Sequence, residues 1–309
     1  MTVHEKLSRS LRALLGSSLG DLSLYALLAL GAWLFFYVFF RKHLQHRRLS
    51  QQDPTPRQVA REMFHSLRSI AIFGLVTGAV VYAAYSGWTR LYLRIGAYGW
   101  GWFIISIGLM IVIHDAYFYW THRLMHHPWL FRSLHQTHHR STNPTPWAAY
   151  AFSPGEALIQ AGIGPLIVFT IPVHPAAFSV FMTWQIAFNV FGHCGYEIFP
   201  KCFLRSPVRL VLNSVTHHSL HHEKYRANFG LYFNVWDRLM GTNHREYERR
   251  FELATSEPLK EAGVAEPEQI SAVRCAPCRS PVADRCGSVR SRLDSSGKPA
   301  SICPTQAAD

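Results

Sequence analysis

The chain has 309 residues, of which 49% are hydrophobic, 14% aromatic and only 16% charged, with a formal net charge of +12. Soluble domains carry about 25% charged residues, so this composition excludes an ordinary soluble protein and points to a membrane protein built around one large domain. Residues 1–251 hold 24 Lys and Arg against 11 acids, and 252–309 hold 7 against 8; the basic clusters flank apolar runs, as cytoplasmic membrane loops do, which excludes a nucleic-acid partner.

In chain order, "MTVHEKLSRSLRALLG" (1–16) is basic, but the apolar run behind it is too long for a signal-peptide core and lacks a small-residue cleavage site. The first helix is therefore expected to stay as an anchor. "LSLYALLALGAWLFFYVFF" (22–40) is uncharged over its length, close to the roughly 20 residues that cross a hydrocarbon core. The loop 41–68 carries Arg41, Lys42, Arg47, Arg48, Arg57, Arg61 and Arg68 against Asp53 and Glu62, so it belongs inside. "SIAIFGLVTGAVVYAAYSGW" (69–88) is a second span, and "YGWGWFIISIGLMIVI" (98–113) with "AYFYW" (116–120) a third; the loop between them has only Arg90 and Arg94. Residues 157–191 give two shorter arms interrupted by Pro172 and Pro175. Each arm is about 15 residues, roughly 23 Å of helix, so this hairpin either spans with help from its flanks or dips in.

A hairpin returns to its starting side, so 41–68, 121–156 and 192–251 share the inner face. The predicted fold is all-α: an integral membrane bundle of about four apolar segments in two hairpins, with a cytosolic helical cap. Three regions follow: an N-terminal hairpin region 1–97, a catalytic domain 98–251, and a disordered tail 252–309 rich in Ser, Pro, Ala and charge. Six cysteines, four of them in the tail, fit a reducing inner face; "CAPC" (275–278) lacks a fourth ligand at zinc-knuckle spacing.

Thirteen of the 18 histidines fall between 114 and 222. They repeat a pattern: His122-x-x-x-His126, His135-x-x-His138-His139 and His218-x-x-His221-His222. On a helix such spacings put two or three imidazoles on one face. Neutral imidazole binds iron, zinc, copper or nickel. Carboxylate-bridged centres need glutamates, yet the only acids from 114 to 222 are Asp115, Glu156 and Glu197, so a carboxylate-rich site is excluded. Eight or nine imidazoles exceed the capacity of one ion, which implies two metals.

The run "HDAYFYWTHRLMHHPWLFRSLHQTHHRSTNPTPWAAYAFSPGEAL", then "NVFGHCGYEIFP", then "HHSLHHEKYRANFGLYFNVWDRLMGT" resembles the fatty acid hydroxylase/sterol desaturase superfamily of membrane non-haem di-iron oxygenases, over roughly 98–243. The resemblance implies an enzyme that uses two Fe and O2 to hydroxylate or desaturate a lipid such as a sterol or fatty acyl chain. Carried over residue by residue, it implies His122, His126, His135, His138, His139, His218, His221 and His222 as iron ligands, with His193 of "GHCGYE" as a ninth. His127 and His217 stand behind these: His127 is about 140° from His122 in helical phase and precedes Pro128, whereas His217 has only its spacing from His221. Where relatives often read histidine-proline-x-glutamate, this chain has Ser153-Pro154-Gly155-Glu156.

Asp115, Glu197, Glu223 and Asp237 are candidates to accept the second N–H of a ligand histidine. His114 reads as an interfacial histidine or a partner of a ligand, and Tyr117, Phe118, Tyr119 and Trp120 as membrane-interface anchors. Neither His127-Pro128-Trp129 nor His174-Pro175-Ala176 completes a cytochrome b5 haem signature, and neither a dinucleotide nor a ferredoxin motif occurs. A separate electron donor is therefore expected, cytochrome b5-like, ferredoxin or a similar reductase system. Two rivals are a histidine-rich metal-binding or transport protein, disfavoured because arginines lie among the boxes, and a zinc hydrolase using Glu223 beside His222 as base. The histidine boxes are expected on the cytoplasmic face; "PTQAAD", lacking a dilysine ending, favours a bacterial inner membrane over the endoplasmic reticulum.

Overall fold

Thr2 and Glu5 form a reciprocal cap, each side chain bonded to the other's backbone N–H, so the first helix begins near the N-terminus, well before the uncharged run at 22. The structure, a computed structural model, describes residues 1–256, and among these no β-strand occurs. The first helix α1 (Val3–Trp33) continues through a wide turn at Leu34–Phe39. A second, α2 (Pro56–Tyr85), is capped by Thr55 with proline in its first turn. They run antiparallel, with Lys6 Nζ donating to Ser86 Oγ at one end (3.1 Å) and both Tyr25 and Ser66 donating to Trp147 O near the other. Gly74 and Gly78 permit the close approach, because a Cβ on Gly74 would meet Ser18 Oγ and the Leu14 carbonyl.

The helix that carries the expected first span is longer than its uncharged run. The basic first half of α1 meets α2 at Gly74 and Gly78, and Tyr25, Ala29, Ala32 and Phe36 of the uncharged run are buried in one cluster with Ile70 of α2 and with Tyr150, Phe152 and Tyr196. Hydropathy marks 22–40 because that run is uncharged; it cannot see that small residues before it fit a neighbouring helix.

Helix α3 (Gly99–Met125) returns from the far end and is followed by α4 (Pro128–Leu134) and α5 (Gln136–His139). The expected hairpin consists of α6 (Pro154–Ala161) and α7 (Ile163–Thr170), broken at Gly162, and α8 (Pro175–Gly192). Its turn meets the α2–α3 loop: Leu91 bridges Val173, and Trp102 Nε1 donates to Pro172 O. The hairpin therefore reaches the same end of the bundle as α2 and α3. Met110, Ile163, Ile167, Val173, Ala177 and Phe181 form the core between them. Three helices, spanning Val3–Phe39, Pro56–Tyr85 and Gly99–Met125, are long and apolar enough to cross a membrane by length and composition.

After α8 come α9 (Val215–Lys224), α10 (Val235–Leu239) and α11 (Tyr247–Thr255). Phe251 and Ala254 are buried, so the ordered helix passes the boundary expected at 251. The rest of the expected tail, with its four cysteines, lies outside the described residues.

Candidate metal centre

His122 and His126 sit one turn apart at the end of α3, which stops because Pro128 drives His127 into extended backbone (φ −61°, ψ 135°). The short α4 then brings His135, and after it His138 and His139 of α5, back against α3. His193 caps the end of α8, and α9 carries His218, His221 and His222. The start of α9 is fixed by Glu197, which accepts from Thr216 N (2.9 Å) and Thr216 Oγ1 (2.6 Å).

These nine histidines converge in two groups: His122, His126, His135, His139 and His221 in one, His138, His193, His218 and His222 in the other. Either group could hold a metal ion. In the first, Nε2 of His122 lies 2.9 Å from that of His135, and those of His126, His139 and His221 lie 3.0–3.1 Å from one another. In the second, Nε2 of His193 is 3.0 Å from His218, 3.2 Å from His222 and 3.4 Å from His138.

Five of the Nδ1 atoms donate outward: His122 to Phe229 O (2.8 Å), His135 to Glu156 Oε1 (2.7 Å), His193 to Asn189 O (2.7 Å), His221 to Ala227 O (2.7 Å) and His222 to Ser141 O (3.0 Å). A neutral imidazole has one N–H, so in these five residues the inward Nε2 is a bare lone pair. Lone pairs at such range repel unless a cation lies between them. Metal–nitrogen bonds of about 2.0–2.1 Å at angles of about 90–110° separate neighbouring ligand nitrogens by about 2.8–3.4 Å, which is the spacing found. The residues therefore fit a metal ion in each group.

Burial keeps the imidazoles neutral and ready to bind. It pushes His193 down to about 4 and His126 to about 2, and holds His135, His138, His139, His218, His221 and His222 well below the ordinary 6.5, with neighbouring histidines adding to the depression. Such a group binds protons more readily unfolded than folded, so stability of the metal-free protein rises with pH between the folded and unfolded values. Chelator-stripped protein is expected to lose thermal stability as pH falls from 7 toward 4, by on the order of 3 kcal/mol for His193 alone. A melting midpoint that stays flat across this window would contradict neutral burial.

The second N–H groups find different partners from those expected. Asp115 accepts from Tyr232 N and Phe233 N, Glu197 anchors α9, and Glu223 pairs with Arg250 and Lys224 at the surface. Asp237 accepts from Phe229 N, Gly230 N and Thr242 Oγ1, and lies 3.5 Å from His217, outside both groups. These are corrections: none of the four meets a clustered histidine. Asp237 acts one step away, because the loop it holds presents the Ala227 and Phe229 carbonyls to His221 and His122. Four of the five outward N–H groups end on main-chain carbonyls, which satisfy a buried donor without burying another charge.

The exception is Glu156, which the sequence reading left unassigned. Ser153 caps α6 by accepting from Glu156 N, and "SPGE" has the spacing of a capping box. The glutamate does not reach back to the cap; it turns to His135. Of the two weaker ligand candidates, His127 is exposed against Trp129, and His217 faces Asn243 and Asp237; neither joins a group. His114 Nδ1 lies 2.8 Å from Tyr232 Oη, and of the aromatic set Phe118 and Tyr119 are buried rather than interfacial.

The fatty acid hydroxylase family matches residues 107–242, the stretch that supplies all nine histidines. A Delta(7)-sterol 5(6)-desaturase of Aspergillus fumigatus is 30% identical over 255 residues, covering 75% of each chain. The chain belongs to the fatty acid hydroxylase/sterol desaturase superfamily. A second Delta(7)-sterol 5(6)-desaturase, from Gibberella zeae, is 31% identical over 69% of this chain and 64% of its own length, so the chain spans somewhat under two thirds of that relative. The lathosterol oxidase of Rattus norvegicus is 28% identical over 73% of this chain and 72% of its own. No solved structure matches. In this superfamily member the histidine groups lie beside an apolar cavity of about 520 Å³ lined by residues of α1, α2, α3 and α6–α8. Phe118 and Phe152 line it, and their rings stand 4.9 Å from His122 and 5.2 Å from His138.

Proposed function

We propose that this protein is an O2-dependent oxidoreductase that hydroxylates or desaturates a neutral lipid, sterol-like as in its relatives, with two irons held by the nine clustered histidines. The observation that carries this reading is the convergence of nine Nε2 atoms in two groups beside an apolar cavity. When bound, the iron pair would supply the activation of O2 needed to oxidise an unactivated C–H bond.

The chain's own part is positioning. Main-chain carbonyls and Glu156 hold the proton on Nδ1, so that Nε2 stays free to ligate. Phe118 and Phe152 keep water away and offer an apolar wall for the reacting segment. A lipid reaches the cavity from the bilayer without leaving apolar surroundings. A cytoplasmic cap, in a bacterial inner membrane or on the endoplasmic reticulum, suits a separate donor such as a cytochrome b5-like protein or a ferredoxin docking on the basic face. Transport is not favoured, because a ligand set with its outer nitrogens locked and buried does not release ions readily.

Metal analysis of the purified protein, with lipidomics of a deletion strain, tests the proposal. About two irons per chain, and a lipid that gains 16 mass units or loses two in the presence of the protein, are expected. One tightly held zinc and an unchanged lipid profile would overturn it.

A further inference from the structure

A second cavity, of about 210 Å³, lies on another face of α8. Phe178, Met182 and Gln185 of that helix line the large cavity, whereas Trp184, Ala187, Phe188 and Phe191 line the small one. At about 100° per residue these two sets fall on separate sides, so α8 divides the two spaces. Asn189 lines both.

The cavities meet the histidines differently. The large one faces them across the rings of Phe118 and Phe152, but the small one has His193 and His218 of the four-histidine group in its own wall. The polar side chains of that wall are turned to protein partners: Asn189 Nδ2 donates to Ala149 O (2.8 Å), Asn213 Oδ1 accepts from Asn234 Nδ2 (3.0 Å) and Ser214 Oγ accepts from Tyr247 Oη (3.2 Å). A cavity water needs about two to four polar partners, so this space favours an apolar guest. Trp184, Phe191 and Ile198, which also line it, are 39%, 38% and 41% exposed and form an apolar rim.

We infer that the small cavity is the entry by which dioxygen, dissolved in the hydrocarbon of the bilayer, reaches the four-histidine group, separately from the cavity that takes the lipid. This rests on the reading that the protein uses O2. Dioxygen is apolar and leaves water for hydrocarbon, and an exposed apolar rim on a membrane protein opens toward that reservoir. The large cavity is closed to it once a lipid is seated there. The small one stays open, and at less than half the volume it suits a small guest.

Xenon, an apolar gas that enters dry cavities of this order, is the first probe. Xenon-pressurised crystals of the full-length protein should hold xenon in the small cavity beside Ala187, and Ala187→Trp, which fills the space, should lose it. The second readout is the rate at which O2 oxidises the reduced, iron-loaded protein in hexadecane-saturated detergent, each ferrous ion giving up one electron while the alkane occupies the large cavity. Ala187→Trp should slow this by about tenfold at unchanged iron content. Ala187→Leu, a smaller filling at a half-buried helical position, should slow it less and serves where the larger side chain prevents folding. A small cavity without xenon in the wild type, or an oxidation rate unchanged in the folded variants, would overturn the route. Failure of the oxygenase reading shows differently, as xenon bound in a protein that takes up no iron and oxidises no lipid, and it ends the proposal for that separate reason.

Discussion

Replacing His193 by alanine should lower iron from about two to about one per chain and reduce lipid oxidation by about 10³-fold or more, roughly 4 kcal/mol of barrier. His193 is the hub of the four-histidine group, with Nε2 within 3.4 Å of those of His138, His218 and His222. Its loss leaves three ligands and a gap at the end of α8. The five-histidine group shares no nitrogen with it and should keep its ion. Elemental analysis beside a melting curve separates this from misfolding: a folded variant that still holds two irons and still oxidises lipid would remove His193 from the centre.

The second large effect is expected at Glu156. Glu156→Ala leaves the His135 Nδ1–H without its 2.7 Å acceptor in a fully buried site. Losing an acceptor that orients a ligand histidine typically costs 10–100-fold in metal affinity, and a loss of about that size is expected here. Burial pushes the Glu156 carboxyl well above the ordinary carboxylate range. Glutamine reproduces the uncharged form and keeps an oxygen for His135, so Glu156→Gln should lose only a few-fold. Chelator competition on both variants decides the matter. Equal losses would mean that the negative charge matters more than the hydrogen bond, and no loss in Glu156→Ala would mean that His135 needs no anchor.

Much of this centre was legible in the sequence, for a physical reason. Imidazoles at intervals of three and four share a helix face, so the boxes at 122–126, 135–139 and 218–222 announce themselves without coordinates. His193 has no such neighbour: it belongs through the end of α8, a tertiary fact that only the family resemblance pointed to. Glu156 was masked because Ser153-Pro154-Gly155-Glu156 has a complete local explanation as a helix start. The carbonyls of Ser141, Asn189, Ala227 and Phe229 carry no side-chain signature at all. In the membrane part, the apolar runs gave the helices but not their register; the pairing of α1 with α2 depends on Gly74 and Gly78, and the depth of the 157–191 hairpin on backbone contacts near Leu91 and Val173.

Because four of the atoms that aim the imidazoles belong to the polypeptide backbone, ordinary substitution at Ser141, Asn189, Ala227 or Phe229 changes the side chain and leaves the acceptor in place. The centre is thereby most brittle toward changes of length: one inserted or deleted residue between His221 and Phe229 would displace two of these oxygens together.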